Sequence, residues 1–462
     1  MEKTKKTIKP KLPYLSMSLL MLMTFGNLGT SMSFSLQSSQ MGRIFQTLGA
    51  DPTKLGFYFI LPPLAGMIVQ PLVGYFSDKT WLPKIGRRLP YLILGTSIAV
   101  IVMCLLPNAG SFGFSKTKAL WFGAIAILFM DLSSNMSMQP YKMMIGDMVN
   151  EEQKDKAWAW QTIWGNIGGF IAYLFPFGLT LIGIANTANT GEVPSSVKIS
   201  FYLGSAILIF TSIFTIAKVK EYDPKTYAKY HGIESTQTSE KTSIIHLLKN
   251  APKVFWTLGL VEFFCWAGFQ YLWTYGTGTI ALNVWHTSNS ASAGFQAAGN
   301  WFGILSAVET VAAILWGLVL QRLTDKNRKI AYSFGLLVGS IGLILLAVSN
   351  TDSIIFGKIM TAISMGLVGI GWVTINTIPF TILTNALDGK HDGTYLGLFN
   401  CWICLPQIVA SVASFALYPL MENLGGGHAS SGMPLMLIIA AILFICGAIS
   451  VKVINEEHTE KA

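Results

Sequence analysis

Three carboxylates stand inside long apolar stretches of this chain: Asp131, Glu262 and Glu309. The other twenty of its 23 acidic residues fall in polar intervals, tails or the ends of apolar runs. A carboxylate held away from water must take up a proton or find a partner. An ionisable group at such depth is a functional candidate by default. Asp131 stands out because it follows the apolar run 122–130 directly, and Asn135, Met138/Gln139 and Lys142 recur on roughly the same helical face. Lys142 is roughly 16 Å further along a helix, which makes direct contact with Asp131 doubtful. A carrier that spends a proton gradient needs a group of this kind. Glu309, midway along 300–320, is a second candidate for taking a proton or binding a ligand hydroxyl. Glu262 lies nearer the end of its stretch, where snorkelling to the interface is expected.

Amides and indoles recur in the same stretches. Pyranose rings have apolar C–H faces that stack on aromatics and hydroxyl rims that bond amides and carboxylates. Gln37, Asn135, Asn166, Asn376, Asn400 and Gln407 supply amides, with Asn27 a further one. Trp372 and Trp402 are the favoured stacking residues, ahead of Trp164, Trp266, Trp273 and Trp301, and Trp372 stands one turn before Asn376. Trp121, Trp256 and Trp285, near stretch ends, read as interfacial belt residues. Cys401-x-x-Cys404 has no second pair or flanking His and reads as two small helix residues. Gly165-x-x-x-Gly169 reads as close helix packing, and His391-Asp392 as a turn. No metal site or cofactor is expected, and Gly425-Gly426-Gly427 lacks the Lys of a phosphate loop.

The elements that must position these residues are membrane helices. Of the 462 residues, 52% are hydrophobic and 12% charged, about half the charged share of a soluble domain. Apolar stretches are expected at 14–40, 55–76, 91–107, 119–141, 157–187, 199–217, 254–280, 299–320, 330–348, 354–384, 395–420 and 434–453, giving twelve spans. The longest polar interval, 218–253, falls between the sixth and seventh. The fold class expected is an all-α polytopic membrane protein of two six-helix bundles, 1–217 and 254–462, joined by the central loop 218–253. Of the 32 Lys and Arg, 26 fall on the side of the termini and central loop. That bias makes both termini cytoplasmic and explains the net charge of +9 without nucleic acid.

The loops repeat. Gly74-Tyr-Phe-Ser-Asp78-Lys79 … Gly86-Arg87-Arg88 follows the second span, and Gly317 … Asp325-Lys326-Asn327-Arg328-Lys329 follows the eighth. The fuller stretch, Val69-Gln70-Pro71-Leu72-Val73-Gly74-Tyr75-Phe76-Ser77-Asp78 with Ile85-Gly86-Arg87-Arg88-x-Pro90, resembles the loop signature of the major facilitator superfamily. Its form is similar to that of sucrose/proton symporters and the glycoside–pentoside–hexuronide cation symporters. Asp131, Asn135, Pro140, Lys142 and Asp147 match that group's fourth helix, with Lys142 where Arg is usual. Leu36-Gln37, Ile378-Pro379-Phe380, Leu398-Phe399-Asn400 and Pro406-Gln407 also match, and Trp273 and Tyr275 stand where relatives often carry acidic residues.

The resemblance implies a secondary transporter, not an enzyme, importing a maltose- or sucrose-type sugar with protons by alternating access. Asp131 and Glu309 would couple protons, and Gly74, Asp78, Gly86, Arg87, Arg88, Lys142 and Asp147 would gate the two halves. A sodium-coupled symporter and a sugar exporter of the same fold are the alternatives. The expected partners are a sugar, a coupling proton and the lipid bilayer, with a monomeric carrier. Short loops and the absence of sorting tails point to a bacterial inner membrane. A membrane enzyme acting on lipid-linked sugars would need a surface carboxylate or His cluster, and the sequence offers none.

Overall fold

The computed structural model describes residues 11–231, 244–320, 322, 325–387, 392–428 and 430–455, so His391 lies outside the described residues. Sixteen α-helices carry the chain, with no strand among the described residues. They are α1 (Met17–Phe25), α2 (Asn27–Thr47), α3 (Leu55–Lys79), α4 (Leu89–Leu105), α5 (Lys116–Met148), α6 (Lys154–Leu181), α7 (Ser195–Lys218) and α8 (Pro224–His231). The remainder are α9 (Ile244–Lys249), α10 (Lys253–Trp285), α11 (Ala293–Leu320), α12 (Asp325–Ala347), α13 (Ile354–Ala386), α14 (Asp392–Phe399), α15 (Cys401–Leu424) and α16 (Met433–Ser450). Helices satisfy their own backbone groups, as a segment in lipid must. Large apolar side chains such as Ile101, Leu315, Ile355 and Ile442 stand exposed, an arrangement that a bilayer covers.

Eleven helical stretches among the described residues are long and apolar enough to cross a membrane. The protein is therefore a multi-pass membrane protein. The twelfth expected span corresponds to α10, which has 33 residues but is not among the eleven. Glu262, Gln270, Thr274, Thr277, Thr279 and Asn283 punctuate it, all buried. A helix shielded by other helices can carry such residues without exposing them to lipid.

The first expected span also differs. The helical path runs past residue 40 to Thr47, interrupted only at Gly26. A Cβ at Gly26 would lie 1.8 Å from the hydroxyl of the buried Tyr141, so only glycine fits there. The second close approach is between α2 and α6. A Cβ at Gly168 would come 2.1 Å from the Leu28 backbone carbonyl oxygen, closer than anything met at Gly165 or Gly169. Gly168→Ala is therefore expected to destabilise the protein by about 1–3 kcal/mol. Gly178→Ala, where nothing lies within 4 Å, should be neutral or slightly stabilising. Melting temperatures of the two variants in detergent check this pair.

Helices before Lys218 pack mainly on one another (α2 on α6, α4 on α5), as do those after Lys253 (α10 on α16, α12 on α13). Contacts between the two sequence halves run through α3 with α15, α6 with α11 and α2 with α10. One of them has a local cause. Pro63 lies inside α3 and has no N–H for the carbonyl of Phe59, four residues earlier. That freed carbonyl instead accepts the Gln270 Nε2–H of α10 at 2.9 Å, while Gln270 also donates to Ser411 Oγ at 2.8 Å.

Candidate functional site

Between the two sequence halves lies a cavity of about 1270 Å³. Its lining runs from Met41 and Tyr173 to Leu320 and Arg328, beside the loops that carry most of the basic residues. Asp131 stands on the first-half wall, 5% exposed. Its Oδ1 accepts Gln37 Nε2–H at 3.1 Å, and its Oδ2 accepts Asn135 Nδ2–H at 2.8 Å. Gln70 Nε2 donates in turn to Asn135 Oδ1 at 2.8 Å. Among the described residues no Lys or Arg reaches ion-pair distance of Asp131. Gln37 Oε1 is buried and has no hydrogen-bond partner among them. Three amide side chains, from α2, α3 and α5, thus form a neutral cradle around one carboxylate.

The opposite wall is aromatic. Trp266, Trp273 and Trp372 line the cavity, with Trp372 set edge-on to Trp266 at 5.5 Å and to Trp273 at 6.1 Å between ring centroids. Phe269 packs behind them, 5.0 Å from Trp372. Offset and edge-on rings of this kind form a stiff apolar wall. A cavity with amides and a carboxylate on one side and indoles on the other suits a ligand with a hydroxyl rim and an apolar face.

A family model described as Major Facilitator Superfamily matches residues 23–411. The chain belongs to the major facilitator superfamily. That superfamily consists of transporters, not enzymes. A sucrose transport protein of Arabidopsis thaliana is 22% identical over 470 residues, covering 94% of this chain and 89% of the relative. Among solved structures, the nucleoside transporter NupG superposes with a TM-score of 0.69 at 15% identity, covering 94% of this chain and 98% of that one. A D-xylose-proton symporter gives 0.68 at 14% identity, covering 95% and 98%. At these identities the two structures speak for the major facilitator fold alone.

The superfamily cavity brings together most of the residues picked from the sequence. Gln37, Asp131, Asn135, Asn166, Glu309, Trp372, Asn376, Asn400 and Gln407 all line it. Glu309 is half-buried there, and no described side chain is hydrogen-bonded to its carboxylate. Trp402 is elsewhere: its ring covers Gly259 and meets Trp256 edge-on at 5.9 Å. Residues two apart on a helix point about 200° apart, so a helix that turns Asn400 and Gln407 inward turns Trp402 away. Glu262 is fully buried and does not snorkel, contrary to the sequence expectation. Trp266 and Trp273, secondary candidates in the sequence, stand on the cavity wall.

The residue that sequence reasoning missed is Arg43. Beyond the expected end of the first apolar stretch at 40, it lies inside α2 with no exposed surface. Its guanidinium donates to Gln296 Oε1 at 2.7 Å, Asn300 Oδ1 at 2.8 Å, Asn186 Oδ1 at 2.8 Å and Gln40 Oε1 at 3.3 Å. Gln296 also donates to Thr47 Oγ1 at 3.0 Å, and Asn300 to Thr180 Oγ1 at 2.9 Å. These bonds join the two sequence halves at the end of the molecule remote from the basic loops.

At the other end, the superfamily loop binds its own half. Arg87 pairs with Asp78 at 3.5 Å and with Asp147 at 3.2 Å, and Arg88 pairs with them at 2.7 and 2.8 Å. Glu221 accepts the backbone N–H groups of Arg87, Arg88 and Leu89, placing a carboxylate at the start of α4 where the helix dipole favours one. Gly86, at φ 122°, permits that contact: a Cβ would sit 2.6 Å from Glu221 Oε1. Gly74 is less demanding, with only the Met143 methyl at 3.3 Å. Lys142 stands apart, half-buried, with no carboxylate at ion-pair distance among the described residues.

Proposed function

We propose that this chain is a secondary active transporter that imports a disaccharide or glucoside of the maltose or sucrose type with protons. The observation that carries the reading is the cavity between the sequence halves, with the Asp131 cradle facing a wall of indoles. The sucrose transport relative supports the substrate class. The bundles 1–217 and 254–462, joined by 218–253, rock about this site with both termini cytoplasmic. The Arg43 seal then closes the outer face, and the cavity faces inward. Short loops between the spans support a bacterial inner membrane as the location, and the carrier works as a monomer.

Asp131 takes a proton from outside, and the neutral acid crosses the closed state at lower cost than a bare carboxylate. Gln37 connects this step to the sugar. While its amide N–H is given to the carboxylate, its Oε1 stays buried without a partner. Once Asp131 carries a proton, the amide can rotate, accept that proton with Oε1 and present N–H to the sugar. Glu309, on the second half, is the further candidate for protonation or hydroxyl binding.

The test is uptake of radiolabelled sucrose and maltose into proteoliposomes under an imposed inward proton gradient, without sodium. Accumulation of either sugar above equilibrium is the expected result. Accumulation with sodium alone would overturn the choice of ion, and outward movement alone the direction. If neither sugar moves, the substrate reading falls.

A further inference from the structure

The transport reading leaves Glu262 without a task, although it is the most deeply buried carboxylate in the site region, with no exposed surface. It lies on α10 one turn before Trp266, on the same helical face. Its Oε2 accepts Trp266 Nε1–H at 2.6 Å, and its Oε1 accepts the Tyr332 hydroxyl of α12 at 2.8 Å. Among the described residues no cation lies within ion-pair distance of it. The same Trp266 ring lines the cavity and meets Trp372 edge-on.

The indole N–H is the one polar atom of Trp266, and it can only donate. Anchoring it on a carboxylate behind the wall fixes both rotatable angles of the ring and leaves its carbon surface for the cavity. The Tyr332 hydroxyl holds the carboxyl group from its other oxygen, so the anchor is stiffer than packing alone provides. An apolar side chain of the same size would fill the space without the cost of burying a carboxyl group. The arrangement therefore makes sense as orientation, not as packing.

We infer that Glu262 is a positioning residue for sugar recognition: through the Trp266 N–H it sets the angle of the indole wall against which the sugar ring stacks. The inference rests on the sugar-transport reading and deepens it. It does not involve the proton step, because Glu262 touches neither Asp131 nor its amide cradle.

Sugar counterflow in proteoliposomes without any ion gradient separates this role from coupling. Glu262→Leu and Trp266→Phe are each expected to raise the half-saturating sucrose or maltose concentration about tenfold or more, with maximal exchange at saturating sugar preserved. The double variant should be no worse than Trp266→Phe alone, since both remove one interaction. Glu262→Gln keeps an acceptor for the indole and should stay within about threefold of wild type. If the Leu substitution prevents folding, Glu262→Met, unbranched and also without an acceptor for the indole, takes its place in the cycle. Fully multiplicative effects, or wild-type affinity in Glu262→Leu, would overturn the assignment. Wild-type protein that exchanges neither sugar would overturn the sugar reading itself, and this inference with it.

Discussion

Reconstituted Asp131→Asn protein is expected to exchange sugar across the membrane but to accumulate none when an inward proton gradient is imposed. At one proton per sugar, a gradient of about two pH units can sustain about a hundredfold accumulation in wild type, and the variant should fall to about the equilibrium ratio of one. The geometry explains why exchange survives. Asp131 is held only by neutral amides, so the introduced amide occupies the same space and can exchange hydrogen bonds with Gln37, whose Oε1 has no partner at present. No ion pair is broken, since none is made there among the described residues. What disappears is a group whose charge changes. Without it, the energetic difference between the loaded and empty carrier no longer depends on protons.

Normal accumulation by Asp131→Asn would make Asp131 a structural residue and pass the coupling role to Glu309. Glu309→Gln, assayed in the same way, is the next variant in that event. Loss of both accumulation and exchange would mean that the carboxylate serves the sugar instead of the proton.

The sequence makes some of this site legible and hides the rest for physical reasons. Asp131 and Asn135 are four residues apart on one helix, and that spacing alone puts their side chains together, as the 2.8 Å hydrogen bond shows. Gln37 and Gln70 come from α2 and α3, and no local pattern says which amides converge on the carboxylate. Trp402 was open to exclusion from spacing, because it sits on the far side of a helix that turns Asn400 and Gln407 inward. Arg43 was not. Apolar runs define spans, and a guanidinium ends a run. Here its charge is satisfied by amide oxygens, and three of the four lie at least 143 residues away. The helix count has a similar origin: α10 is polar enough to fall below the hydropathy of a lipid-facing span because its neighbours bury it.

Arg43→Leu is expected to shift the carrier away from the state in which the outer face is sealed. The substitution strips Gln296 and Asn300 of their donor at once, leaving two buried amide oxygens unpaired across the seam between the halves, while Asn186 Oδ1 keeps the Ser196 hydroxyl. Charge-assisted hydrogen bonds contribute about 1.5–3 kcal/mol each, and opening to water returns much of the loss. A net shift on the order of 3 kcal/mol is more than a hundredfold in population. Spin labels at Asp51 and Ser288, exposed positions at the sealed end, should report a longer distance in the variant than in wild type. Arg43→Lys should fall between the two, since an ammonium keeps the charge but cannot span four acceptors with a planar fork. Uptake should slow at least tenfold, because the return to the inward-facing state becomes the unfavourable step. Unchanged distances with normal transport would mean that the amide network closes the outer face without its cation. The seal would then rest on those amides and on packing, through contacts such as Gly303 against the Tyr173 carbonyl and Gly56 against Ser414.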